Sequence, residues 1–115
     1  MTNGQDVPTV EVADVDALVR GGAVLLDVRE PEEWYAGHAP GATWIPLGRV
    51  PAERAALPTD RPVLAVCRVG GRSAQAVAAL RRWGVDARNV AGGMQAWAAA
   101  GLPVVTDDDR PGHVV

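Results

Sequence analysis

One cysteine, Cys67, closes the apolar run Val63-Leu64-Ala65-Val66 and is followed by Arg68-Val69-Gly70-Gly71-Arg72-Ser73. A thiol placed at the end of a strand and ahead of a helix N-terminus sits in a positive local field. Gly70 and Gly71 let the backbone N–H groups of Arg68 to Ser73 turn inward as an anion-binding nest. Arg68 and Arg72 bring two positive charges close by. Each of these terms favours thiolate over thiol, whose ordinary pKa is about 8.5. The same nest would hold an anionic group bonded to the sulfur. The plainer alternative is a small buried hydrophobe. The glycines and the flanking arginines weigh against it.

Other residues with chemical potential are secondary to this loop. Asp27 and Arg29 follow an apolar strand and should lie near the same sheet edge as Cys67. With Glu33 they are expected to form an ion-pair and capping network more than to react. His38 has a ring suited to a general base, but it lies in a tight turn and is expected to bracket the fold. His113 is expected to be solvated. One Cys and two distant His residues make no zinc site, and Gly70-Gly71 and Gly92-Gly93 lack a nucleotide-binding pattern. No cofactor is expected. With a single thiol, whatever Cys67 takes up must be passed to an external acceptor.

The elements that must position these residues follow from periodicity. Strands are expected at Thr9–Val12, Ala23–Val28, Thr43–Ile45, Pro62–Cys67 and Arg88–Val90. The second and fourth are continuous apolar runs, the pattern of strands covered on both faces. Helices are expected at Asp14–Arg20, Pro31–Tyr35, Val50–Leu57 (weak, stopped by Pro58), Ser73–Trp83 and Met94–Ala100. This alternation predicts an α/β fold of three layers, with a mostly parallel sheet of about five strands and helices on both faces. Ligands in such sheets bind beyond the carboxyl ends of the strands, where Cys67 falls. Trp34 and Trp44 lie close to that edge, and one of them is a candidate to shape the mouth of the site. Trp83 and Trp97 read as packing residues.

Composition narrows the remaining classes. The 115 residues suit one hydrophobic core, at 48% hydrophobic and 22% charged. A net charge of −3 gives no basic surface for nucleic acid. The lone cysteine fits a reducing, cytoplasmic setting, and no segment reads as a signal peptide or a membrane span. Residues 1–7 and 106–115 read as loose ends flanking a domain over 8–105.

The loop Cys67-Arg68-Val69-Gly70-Gly71-Arg72-Ser73 resembles the active-site loop of rhodanese-domain sulfurtransferases. So do Leu25-Leu26-Asp27-Val28-Arg29-Glu30-Pro31-Glu32-Glu33-Trp34, the turn Gly37-His38-Ala39-Pro40-Gly41-Ala42, the segment Val90-Ala91-Gly92-Gly93-Met94-Gln95-Ala96-Trp97 and the finish Ala100-Gly101-Leu102-Pro103-Val104. The resemblance runs in order over most of the chain. One departure is Ala39, where relatives often carry a bulky aliphatic, and a local packing change is expected there. The resemblance implies a rhodanese-like fold and a sulfane sulfur carried as a persulfide on Cys67. It implies a small anionic donor such as thiosulfate and an acceptor that is cyanide, a small thiol or a protein thiol. Arg68 and Arg72 would bind the donor or anchor the loop, and Asp27 and Arg29 would support it. Two alternatives stand beside this reading. One is a persulfide carrier or regulatory module serving one partner protein. The other is a Cys-dependent phosphatase or arsenate reductase, which needs C-x5-R where this chain has C-x4-R, a loop better sized for one sulfur atom.

Overall fold

The structure, a computed structural model, describes residues 7–115. Five strands form one sheet in the order β1-β5-β4-β2-β3. They are β1 (Thr9–Val10), β2 (Val24–Asp27), β3 (Thr43–Trp44), β4 (Val63–Val66) and β5 (Ala87–Val90), and every pairing between them is parallel. The expected mostly parallel sheet is thus wholly parallel. The helices are α1 (Val12–Arg20), α2 (Pro31–Ala36), α3 (Val50–Glu53), α4 (Gly71–Arg82) and α5 (Gly93–Ala99). The weak helix expected over 50–57 is cut to the four residues of α3, flanked by 3₁₀ turns at Leu47–Arg49 and Arg54–Ala56. Pro58 has no N–H for an α-helical ladder and disfavours helix in the residue before it, which ends this segment, whereas Pro51 sits in the first turn of α3 where no donor is needed. Among the described residues no helix is long and apolar enough to cross a membrane.

Strand parity sorts the core into two layers. Leu26, Val28, Val63, Ala65, Cys67 and Ala87 pack with Ala76, Val77 and Leu80 of α4 and with Val50 of α3. Leu25, Leu64, Val66 and Val90 pack on the other face with Val15 of α1 and with Met94 and Trp97 of α5. The side-chain period of a strand is two, so Val63, Ala65 and Cys67 share one face. Cys67 therefore points toward α4, the helix that starts just after its own loop. All four residues of β4 are buried, because the strand lies between β5 and β2 with helices on both faces.

The ends differ from the expectation of loose tails. Residues 1–6 lie outside the described residues, whereas Val7 packs partly buried against the α4-side core. The segment 106–115 is folded back on the domain. Val105 bridges both His38 and Pro111, Gly112 N donates to Val104 O at 2.8 Å, and His113 N donates to Ala36 O at 3.0 Å. Val114 packs against the α1/α5 layer. Polar composition hid this because backbone groups make the attachment. A close approach of two glycines allows it: a Cβ on Gly112 would stand 2.7 Å from the Cα of Gly37. The side chain of His113 is exposed, as expected. Trp97 is buried and donates to Pro103 O at 2.8 Å, and Trp83, 37% exposed, packs at the domain edge under the guanidinium of Arg54.

Candidate active site

The loop between β4 and α4 wraps the Cys67 sulfur. Gly70 N lies 3.1 Å from Sγ and donates to it, and Ser73 Oγ lies 3.3 Å away. Gly70 has φ +116, a left-handed conformation open to glycine at little cost, and this turns its N–H inward at the start of α4. Burial pushes the Cys67 thiol up. The Ser73 hydroxyl and the N–H groups of Ser73, Gly70 and Val69 oppose it, and the thiol ends below its ordinary value. Cys67 as a residue is 1% exposed, while Arg68 and Val69 stand exposed. A hollow of about 320 Å³ lined by Arg54, Leu57, Trp83 and Val85 lies by the segments leading into β4 and β5 and includes no residue of the loop.

The two arginines of the loop have separate duties. Arg72 forms a bidentate pair with Glu33, at 2.7 and 2.8 Å. Hydrogen bonding to Arg72 lowers the Glu33 carboxyl to about 2, against the opposing effect of partial burial, and Glu33 in turn raises Arg72. The same Glu33 Oε1 accepts from Glu30 N at 3.0 Å and caps α2. Arg72 thus anchors the loop to α2. Arg68 has no ion-pair partner among the described residues and is the loop cation left facing solvent.

Asp27 and Arg29 form a fully buried pair beneath this edge. Asp27 Oδ2 accepts from Arg29 Nη2 at 2.8 Å, and Asp27 Oδ1 accepts from Arg29 N at 3.0 Å. Arg29 Nη2 also donates to Gly37 O at 2.8 Å, tying β2 to the turn. Glu33, expected to join them, is bonded to Arg72 instead. His38 stacks on Trp34 with ring centroids 3.6 Å apart, its Nδ1 is 3.0 Å from Trp34 O, and its Nε2 is 3.4 Å from Asp107. It is held as a packing residue. Trp34 is sandwiched between His38 and Trp44. Trp44 donates to Arg29 O at 2.8 Å. Both rings brace the β2 edge. Ala39 is fully buried in the α1/α5 layer.

Two contributions to the site escaped the sequence reading. Met94 N donates to Cys67 O at 2.8 Å and Gln95 N to Arg68 O at 2.9 Å, so the first turn of α5 holds the loop by its carbonyls. Gly93, at φ +60, makes this approach possible: a Cβ there would collide with Cys67 O and stand 2.6 Å from Arg68 O. The available signal was the Gly92-Gly93 pair. The second is Asn89, 5% exposed on β5, whose Oδ1 accepts from Ser73 Oγ at 2.6 Å and whose Nδ2 donates to Gly70 O at 3.1 Å. A buried Asn in a strand is a signal that polar satisfaction rules could have raised.

A parallel sheet with a sulfur-wrapping loop at its carboxyl edge defines a class, and comparison with known proteins names it. The family model "Rhodanese-like domain" matches residues 11–100. The chain is 40% identical over 86 residues to a sulfurtransferase of Allochromatium vinosum, covering 74% of this chain and 80% of that protein. It is 43% identical over 77 residues to the probable adenylyltransferase/sulfurtransferase MoeZ of Mycobacterium tuberculosis, of which it spans only 20%. A rhodanese-related protein from Thermoplasma volcanium has a similar structure, with a TM-score of 0.81 at 32% identity over 87% of this chain and 99% of that one. The chain belongs to the rhodanese-like domain family.

Proposed function

We infer that this protein is a sulfurtransferase that carries a sulfane sulfur as a persulfide on Cys67. Family membership and the sulfurtransferase among its relatives support sulfur transfer in general. The observation that carries the finer reading is the Cys67 sulfur, which accepts from Gly70 N with the Ser73 hydroxyl 3.3 Å away at the start of α4, and is shifted toward the thiolate. In the proposed reaction the thiolate attacks the outer sulfur of thiosulfate. The Cys67 S–S bond forms, the bond to the sulfonate sulfur breaks, and its electron pair leaves with sulfite. An external nucleophile then attacks the terminal sulfur, and Cys67 departs as thiolate. The inward N–H groups stabilise the anionic terminal sulfur, and Arg68 supplies positive charge for the anionic donor. The acceptor is a small thiol, cyanide or a protein thiol from outside the chain.

The C-x4-R spacing weighs against oxyanion chemistry at this loop, because it makes the loop one residue shorter than the C-x5-R loop of a Cys-dependent phosphatase. Arg72 in turn is held by Glu33 through Nη1 and Nη2. The test is intact mass after incubation of reduced protein with excess thiosulfate and removal of the donor without reductant. The expected result is a gain of one sulfur atom in the parent and none in Cys67→Ser. No gain in a parent whose thiol still titrates would overturn thiosulfate loading.

A further inference from the structure

Ser73 has one hydroxyl proton, and three acceptors lie within its reach. Asn89 Oδ1 is 2.6 Å from Ser73 Oγ, and Cys67 Sγ and Gly70 O are each 3.3 Å away. The orientation of the Asn89 amide follows from its other end. Nδ2 is 3.1 Å from Gly70 O, a carbonyl that can only accept. Reversing the amide would set two acceptors against each other, so Oδ1 faces Ser73. The Ser73 proton therefore goes to Asn89, and the hydroxyl turns a lone pair to the sulfur. In the thiol form the hydrogen bonds run in one chain, from Cys67 S–H to Ser73 Oγ and from Ser73 O–H to Asn89 Oδ1.

Ionisation of the sulfur reverses that chain. A thiolate only accepts, so Ser73 must swing its proton to Sγ. Asn89 Oδ1 then loses its donor at a position 5% exposed, where water is a poor replacement. We propose that Asn89 is a positioning residue: it holds the Ser73 hydroxyl proton away from Cys67 and thereby restrains ionisation of the sulfur. The register of the sheet puts it there. Asn89 pairs with Ala65, two residues before Cys67, and so shares the α4 face with both. Such a restraint has a chemical use, because the nucleophilicity of a thiolate falls as its pKa falls. A loop of N–H donors acting unopposed would yield a sulfur that is ionised but sluggish. The remaining charges around the sulfur come from Arg72 on α4, paired with Glu33 of α2, from exposed Arg68, and from the paired Asp27 and Arg29 at the end of β2. Asn89 acts on the proton between them without adding charge.

The inference takes Cys67 as the nucleophile proposed above, but its test needs no sulfur donor. The rate of Cys67 alkylation by iodoacetamide is followed against pH in the full chain and in Asn89→Leu, Ser73→Ala and the double variant. Gly70 O keeps Ala74 N as a donor at 3.1 Å, so the start of α4 survives loss of the Asn89 amide. Asn89→Leu is expected to lower the alkylation midpoint by about one pH unit, with a roughly threefold faster reaction below it, since the roughly tenfold gain in thiolate is partly offset by its lower nucleophilicity. Ser73→Ala is expected to raise the midpoint, and adding Asn89→Leu to it should change nothing further. Asn89→Ala is measured alongside and should move the midpoint the same way if the leucine is not accommodated. An unchanged or raised midpoint in the Asn89 variants would overturn the proposal. So would a shift of equal size with and without Ser73, the mark of simple loosening. Persulfide loading from thiosulfate is scored separately. Loading without the midpoint shift removes this inference alone, and the shift without loading removes the thiosulfate reading alone.

Discussion

Arg72 stands five positions after Cys67, and its guanidinium grips Glu33 of α2. That pair is the residue-scale lock of the loop, and its pH dependence has a definite sign. The Glu33 carboxyl is lowered from 4.5 to about 2, so the stabilisation is complete above pH 4.5 and is lost as pH falls through 2. Glu33→Gln is expected to lower unfolding free energy at pH 7 by about 1–2 kcal/mol, a figure discounted for the partial exposure of Arg72. Urea unfolding of parent and variant should converge as the pH is brought from 4.5 towards 2. A gap that stays constant through that range would place the effect elsewhere. Arg68 makes the opposite prediction. It has no ion-pair partner among the described residues, so Arg68→Ala should leave stability within about 0.5 kcal/mol of the parent. The same change should slow sulfur loading from an anionic donor, with a dependence on ionic strength that the variant no longer shows.

At the scale of elements, the loop is clamped from two sides. α4 begins inside it, and the first turn of α5 donates to the carbonyls of Cys67 and Arg68. Gly93 is the point where that clamp tolerates no side chain. Gly93→Ala is expected to destabilise by about 2–4 kcal/mol, since the new Cβ meets backbone and the residue is at positive φ. Gly101→Ala is the matched control. It also has positive φ, at +76, but nothing lies within 4 Å of its Cβ, so about 1 kcal/mol is expected. Thermal melts of the two variants separate collision from backbone strain. The buried pair at the end of β2 behaves differently again. Asp27→Asn leaves the Arg29 charge buried without its partner, at an expected cost of about 3–5 kcal/mol.

Over the whole molecule, two core layers separated by one sheet explain why the reactive edge can be rigid. Each strand buries alternate residues in opposite layers, so the carboxyl edge is fixed from both faces. The folded-back segment 106–115 completes the opposite flank by bonding to the turn at Ala36–His38. Ending the chain after Val105 removes the Gly112 and His113 bonds and the packing of Val114. A lower melting temperature is expected, with the rate of Cys67 alkylation at 25 °C unchanged. A change in that rate would mean that the segment reaches the loop through the turn.

The Cys67 loop was legible in the chain because its parts are contiguous. A strand, a thiol, two glycines and a helix start lie within eleven residues, Val63 to Ser73, and local backbone geometry is enough to bring the N–H groups to the sulfur. The strand–helix alternation was legible for a related reason, since burial on both faces writes itself as continuous apolar runs. What the loop leans on was not. Glu33 meets Arg72 across 39 positions, and Asn89 meets Ser73 across 16. Those contacts depend on which strands pair and in what register. The folded-back C-terminal segment was missed because backbone hydrogen bonds hold it, and backbone is the same in every sequence. The sequence by itself determined the thiol-bearing loop, its nest of donors and the layered α/β architecture, because these rest on local geometry and periodic burial. The tertiary structure alone decided that Arg72 anchors while Arg68 stays free, and that the Ser73 proton has a rival acceptor. Both follow from side chains brought within 3 Å by the parallel register of the sheet and the docking of α2 and α4.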